Sequence, residues 1–156
     1  SGACMNDTVV ARPCWTVLTK KAEDKIALIQ NELVQARSRL DSLRTSEQRV
    51  QKMYDEYREG LNRADAQSLG MREAMNQRQF MSQLLTLMAR VKTDIQYTDN
   101  AIVGIKERLM VAERERIKMQ TLADQNAQAV QREENKKDQR RMDALGVMQF
   151  NLKPQA

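Results

Sequence analysis

Between residues 17 and 145 the chain contains no proline. Ala, Glu, Gln, Arg, Lys, Leu and Met dominate that span, all of them strong helix formers, so it admits long helices and little else. In a chain that is 30% charged and 4% aromatic, such helices cannot hide their apolar residues in an ordinary globular core. They hold together by pairing along a seam.

The seam is written in the spacing. From Trp15 the apolar residues recur at intervals of three and four, the signature of a heptad. With Ile26 at position a, the a residues are Ile26, Leu33, Leu40, Glu47, Tyr54 and Leu61, and the d residues include Ile29, Ala36, Leu43, Val50 and Tyr57. Glu47 alone breaks the apolar set. The pattern resumes at Met81 and Leu84 and runs through Met88, Val91, Ile95, Thr98, Ile102 and Ile105 towards Val130. Between the two runs, Gly60, Asn62, Asp65, Ser68 and Gly70 supply turn and capping chemistry.

The sequence therefore predicts an all-α fold, a long two-helix antiparallel coiled-coil hairpin with unequal arms. An irregular segment covers residues 1–14, in which Ser1–Cys4 precede Met5 and read as an appended sequence. Helix one is expected over about 15–62, the tip over about 63–72, helix two over about 73–146 and a flexible tail over 147–156. A fold-back near residue 69 pairs residues whose numbers add to about 138, so helix two is expected to lose its partner beyond about residue 123. The remaining helix has sparse apolar residues and is marginal in water by itself. Arg116, Ala123 and Asn126 thin the seam on the way there, which makes the end bearing the termini the looser one.

Several chemistries are excluded by composition. There is no histidine, hence no Ser-His or Cys-His pair and no usual zinc site. No G-x-x-x-x-G-K-[ST] motif occurs and the five glycines are scattered, so no loop is built to cradle a nucleotide phosphate. Carboxylates such as Glu113 and Glu133 lie among basic residues, where pairing along a helix explains them. The sequence calls for no catalytic residue, no cofactor and no metal. Cys4 and Cys14 lack CxxC spacing and are expected to be reduced. No apolar stretch reaches the ~18 to 20 residues of a membrane span and no signal peptide opens the chain, so a cytoplasmic location is expected. The net charge of +5 is carried by interspersed residues of both signs, which reads as a solvated exterior.

Two of the three tyrosines, Tyr54 and Tyr57, stand in the polar stretch KMYDEYREGLN. Hairpin pairing sets this stretch against RQFMSQLLTLM, where Phe80 and Leu87 fall at g, beside the seam, as does Met53 on helix one. Met53, Tyr57, Phe80, Leu84 and Leu87 would form a semi-exposed apolar strip near the tip. Either they widen the core or they dock a partner; aromatic and methionine residues are favoured interface anchors.

The strings YDEYREGLN, NQRQFMSQLLTLM and ERERIKMQTLADQNAQAVQREENKKDQRRMDAL, in this order and distance, resemble the FliJ family of flagellar type III export proteins over residues 15–146. The resemblance implies a non-enzymatic cytoplasmic coiled coil, similar to the central stalk of rotary ATPases. Its termini-bearing end would enter and stimulate a hexameric export ATPase, and its other end would contact a membrane subunit of the export gate. It would also escort export chaperones, be peripheral to the membrane through partners alone, and serve flagellum biogenesis, motility and chemotaxis. The family's gate-binding surface carries over in character at Val50, Tyr57, Phe80 and Leu84. Departures fall at Met53, where an aromatic is common, and at Leu87 and Val91, where smaller or polar residues occur. For the ATPase, the overhang offers Arg132, Lys136, Lys137, Arg140 and Arg141 beside Glu133, Glu134 and Asp138.

Three rivals accompany this reading. A stalk of a virulence injectisome would share the pattern. A structural tether would be a homodimer, whereas the stalk is expected to be a monomer in isolation. A nucleic-acid-binding helical arm would want a basic stripe with few acids, and the linear sequence presents none, so no nucleic acid is expected as a partner.

Overall fold

The computed structural model describes residue 11, residues 13–65 and residues 70–152, without the side chains of residues 64 and 65. These residues form two helices, α1 (Pro13–Asp65) and α2 (Met71–Leu152), of 53 and 82 residues. They pack against each other antiparallel, as the facing pairs Glu32 with Arg108 and Tyr57 with Phe80 require. The expected all-α hairpin with unequal arms is the fold.

The start of each helix has a local cause. Pro13 opens α1, where its missing N–H is no loss and its fixed φ suits the first turn. The Gly70 carbonyl accepts from the Ala74 N–H at 3.1 Å, closing the first turn of α2, and Glu73 lies in that turn, where a carboxylate complements the helix dipole. α1 thus starts earlier and ends later than expected, and residues 63–65 and 71–72 of the expected tip are helical. Residues 66–69 of that tip, Ser68 among them, lie outside the described residues, as do Cys4 and most of the expected irregular N-terminal segment. At the far end, α2 passes through Gly146 to Leu152 instead of stopping near residue 146. A glycine inside a helix costs only ~1 kcal/mol relative to alanine. The last four residues of the expected tail are outside the described set.

One expectation about sulfur is corrected. Cys14, helical and half-buried, is disulfide-bonded, and no described cysteine is free. The missing CxxC spacing argues against a metal or redox motif; it says nothing of cysteines that a fold brings together.

The chain divides into two compact units. One spans Leu28–Leu109, and the other joins residues 1–27 to 110–156. In the first, Leu33 and Leu40 of α1 bury against Ile102 of α2, with Ala36, Ile95, Ile105 and Leu109 packed around them. Closer to the fold-back, Val50 buries with Leu84 and Met88, flanked by Tyr54 and Phe80. Each such Leu, Ile or Val contributes about 1.5–3 kcal/mol through the apolar area it removes from water. Thr98 also occupies the seam, buried, and its hydroxyl donates to the Asp94 carbonyl at 2.8 Å, so that hydroxyl is not stranded.

The second unit uses smaller residues. Ala22, Ile26 and Ala112 are buried with Thr19, whose hydroxyl donates to the Trp15 carbonyl. Trp15, Met119, Ala123 and Val130 are half-buried. Pro13, Trp15 and Thr16 line one groove with Ala123, Asn126 and Val130, so α1 reaches further along α2 than the expected limit near residue 123. From residue 131 to 152 every residue is exposed except the half-buried Glu133.

Candidate docking surface

The expected apolar strip lies in the Leu28–Leu109 unit, and its parts come to rest at two depths. Val50 and Leu84 are 7% and 4% exposed: they belong to the seam. Phe80 is half-buried and packs on the cluster they form with Met88. Tyr57 leans on Phe80 with ring centroids 4.8 Å apart and planes tilted by 52°, an arrangement worth about 0.5–1.5 kcal/mol beyond its buried area. Tyr57, Met53 and Leu87 remain 39%, 40% and 45% exposed. Of the six candidate gate-binding residues, Met53, Tyr57, Phe80 and Leu87 present surface while Val50 and Leu84 hold the floor beneath. Val91, the other position where the sequence departs from the family pattern, is buried.

The two neighbouring tyrosines have separate surroundings. Tyr54 is half-buried against the Val50 cluster, and the Arg58 guanidinium lies 6.0 Å from its ring centroid, within cation–π range. Tyr57 offers its ring to solvent instead. One helical turn separates a half-buried residue from an exposed one that leans on Phe80.

The candidate ATPase-binding residues Arg132, Lys136, Lys137, Arg140 and Arg141 are all exposed on α2. The pair Arg141 with Asp138, at 3.6 Å and largely exposed, is worth at most about 1 kcal/mol. Gln131 with Asn135 and Gln139 with Asp143 add side-chain hydrogen bonds of 3.1 Å one turn apart, which support the helix locally. None of these groups is locked into a network. They can be given up to a partner at little cost.

The same segment carries a feature the sequence reading passed over. Met142, Leu145, Met148 and Leu152 are exposed and recur at intervals of three and four, an apolar arc on the last turns of α2. The expected boundary near residue 146 put Met142 and Leu145 in helix two and Met148 and Leu152 in the tail, which concealed the arc; the spacing was the available signal. Among the described residues, no helix is long and apolar enough to cross a membrane, and no group of three or more His, Cys, Asp or Glu is arranged to hold a metal ion. What the surface offers is contact by apolar and cationic side chains.

A family model described as flagellar FliJ protein matches residues 16–155. No curated protein and no solved structure matches the chain.

Proposed function

The chain belongs to the FliJ family of flagellar type III export proteins, and on that premise we propose that it acts as the non-enzymatic stalk of the export apparatus. It engages and stimulates the hexameric export ATPase through α2 beyond Val130. The observation that carries this reading is a helix exposed from residue 131 to 152 at every residue but the half-buried Glu133, with five cations set beside Glu133, Glu134 and Asp138. A helix of this kind is marginal when isolated, and mixed charge favours contact that forms and releases as a ring cycles. At the other end, Tyr57, Phe80, Met53 and Leu87 meet the export gate, with Val50 and Leu84 supporting them from the seam. Export chaperones are carried in passing, and membrane association comes through these partners.

Removing residues 130–156 tests the reading. Stimulation of the export ATPase by the shortened chain should be lost; a rate equal to that with the full chain overturns the assignment. Light scattering of the full chain should give a monomer. A stable dimer would favour the structural tether.

A further inference from the structure

The gate strip and the ATPase segment leave one flank of the Leu28–Leu109 unit without a role. In the seam register Met53, Phe80 and Leu87 stand at g. Glu32 and Arg108, also both at g, are ion-paired across the helices, so g meets g on one flank and e meets e on the other.

The e flank is cationic. Arg37, Arg44 and Arg58 occupy it on α1, and Arg78, Lys92 and Lys106 on α2. All six are exposed, and none has a carboxylate partner among the described residues. Asp99 is the one acid at e among the described side chains of this unit. Charges that alternate in sign along the chain are sorted by the hairpin, which brings the unpaired cations of two helices into one row.

Towards the fold-back the row flanks an open groove of about 330 Å³, lined by Tyr54, Arg58, Arg78, Met81 and Leu85 over the buried Leu61. No carboxylate lines it. Arg58 is held near the Tyr54 ring, which limits the rotamer freedom it would lose on binding. Leu85 is 48% exposed and gives the groove an apolar wall.

We propose that this flank is a second docking surface, and that its occupant is an acidic amphipathic helix from a protein partner. Carboxylates of that helix pair with Arg58, Arg78 and the cations further along, while its apolar side chains settle on Met81 and Leu85. The geometry favours a helix, because the cations on each strand of the row recur at multiples of seven residues. A nucleic acid would use the cations but not the apolar wall.

The surface differs from the gate strip, so the two are separable by mutation. The probe is a fluorescein-labelled helical peptide of three heptads carrying Glu and Leu, titrated with the full chain and read by anisotropy. Controls are the same peptide with Leu changed to Ser, and a single-stranded oligodeoxythymidylate. Arg58→Glu with Arg78→Glu should weaken the Glu-Leu peptide by about tenfold or more, and Leu85→Ser by a few-fold. Tyr57→Ala should leave this binding unchanged, whatever it does to the gate. Circular dichroism of each variant verifies the helix, and Arg58→Gln with Arg78→Gln should give a smaller loss of the same kind. Equal affinity for the leucine-free peptide, tighter binding of the oligonucleotide, or no effect of the double charge reversal overturns the proposal.

Discussion

The two units draw on the same two helices and the same three-and-four spacing, yet they bury that spacing to different depths. In the Leu28–Leu109 unit the seam is filled by Leu33, Leu40, Val50, Leu84, Met88 and Ile102, all buried. The unit holding the termini fills it with Ala22, Ala112 and a single buried Ile26, and leaves Met119 and Val130 half-exposed. Helix formers are abundant in both. The difference shows that propensity draws the helices, whereas the size of the seam residues decides where stability resides. A firmly paired unit suits a docking platform that keeps its shape. A loosely paired one, continued by an unpartnered helix, suits an end that must adapt to what it enters.

The largest effect expected from this contrast compares two leucines of α2. Leu84→Ala removes a side chain from the closed seam and should cost about 2–5 kcal/mol of unfolding free energy. Leu145→Ala, at a position 58% exposed, should change stability by less than about 0.5 kcal/mol. Urea unfolding of both variants measures the pair. Similar losses would erase the distinction between the units.

Amide hydrogen exchange sharpens the same contrast without mutation. Amides of residues 80–110 should exchange at least ~100-fold more slowly than those of residues 131–140, because local opening of an unpartnered helix needs little free energy. Equal protection would mean that the exposed segment is held by something other than the seam.

Within the firm unit the contrast between floor and surface makes the next prediction. Tyr57→Ala and Phe80→Ala should each weaken binding of the isolated gate domain by about 2 kcal/mol, the usual cost of truncating a central interface aromatic. Circular dichroism should stay helical. Loss of melting temperature with intact binding would return both rings to the core.

The seam was legible because burial in a two-helix coil repeats every seven residues. Ile26, Leu33, Leu40, Leu84 and Ile102 could be placed from spacing alone, and each is buried. The depth of a flank is harder to read. Val50 and Leu84 appeared among surface candidates but are buried in the seam, whereas Tyr57, also nominally at d, stays 39% exposed against Phe80. The extent of α2 escaped for a different reason: a glycine inside a helix, such as Gly146, keeps its backbone hydrogen-bonding groups and costs too little to stop it. The cationic row on the e flank was hidden most completely, since it exists only after two helices with alternating charge are laid antiparallel.

The smallest expected effect concerns the cross-helix ion pair of Glu32 with Arg108. Both side chains are about half-exposed, at 48% and 55%, so solvent screens the attraction and the net contribution is at most about 1 kcal/mol. Arg108→Gln should therefore lower stability by that amount or less, and the difference from the parent chain should shrink in 1 M salt. Its use lies in register: Glu32 and Arg108 fix which g positions face each other, and with them which cations line the opposite flank. If Arg108→Gln lowered the melting point as much as Leu84→Ala, alignment of the firm unit would depend on charge and not on the fit of its apolar seam.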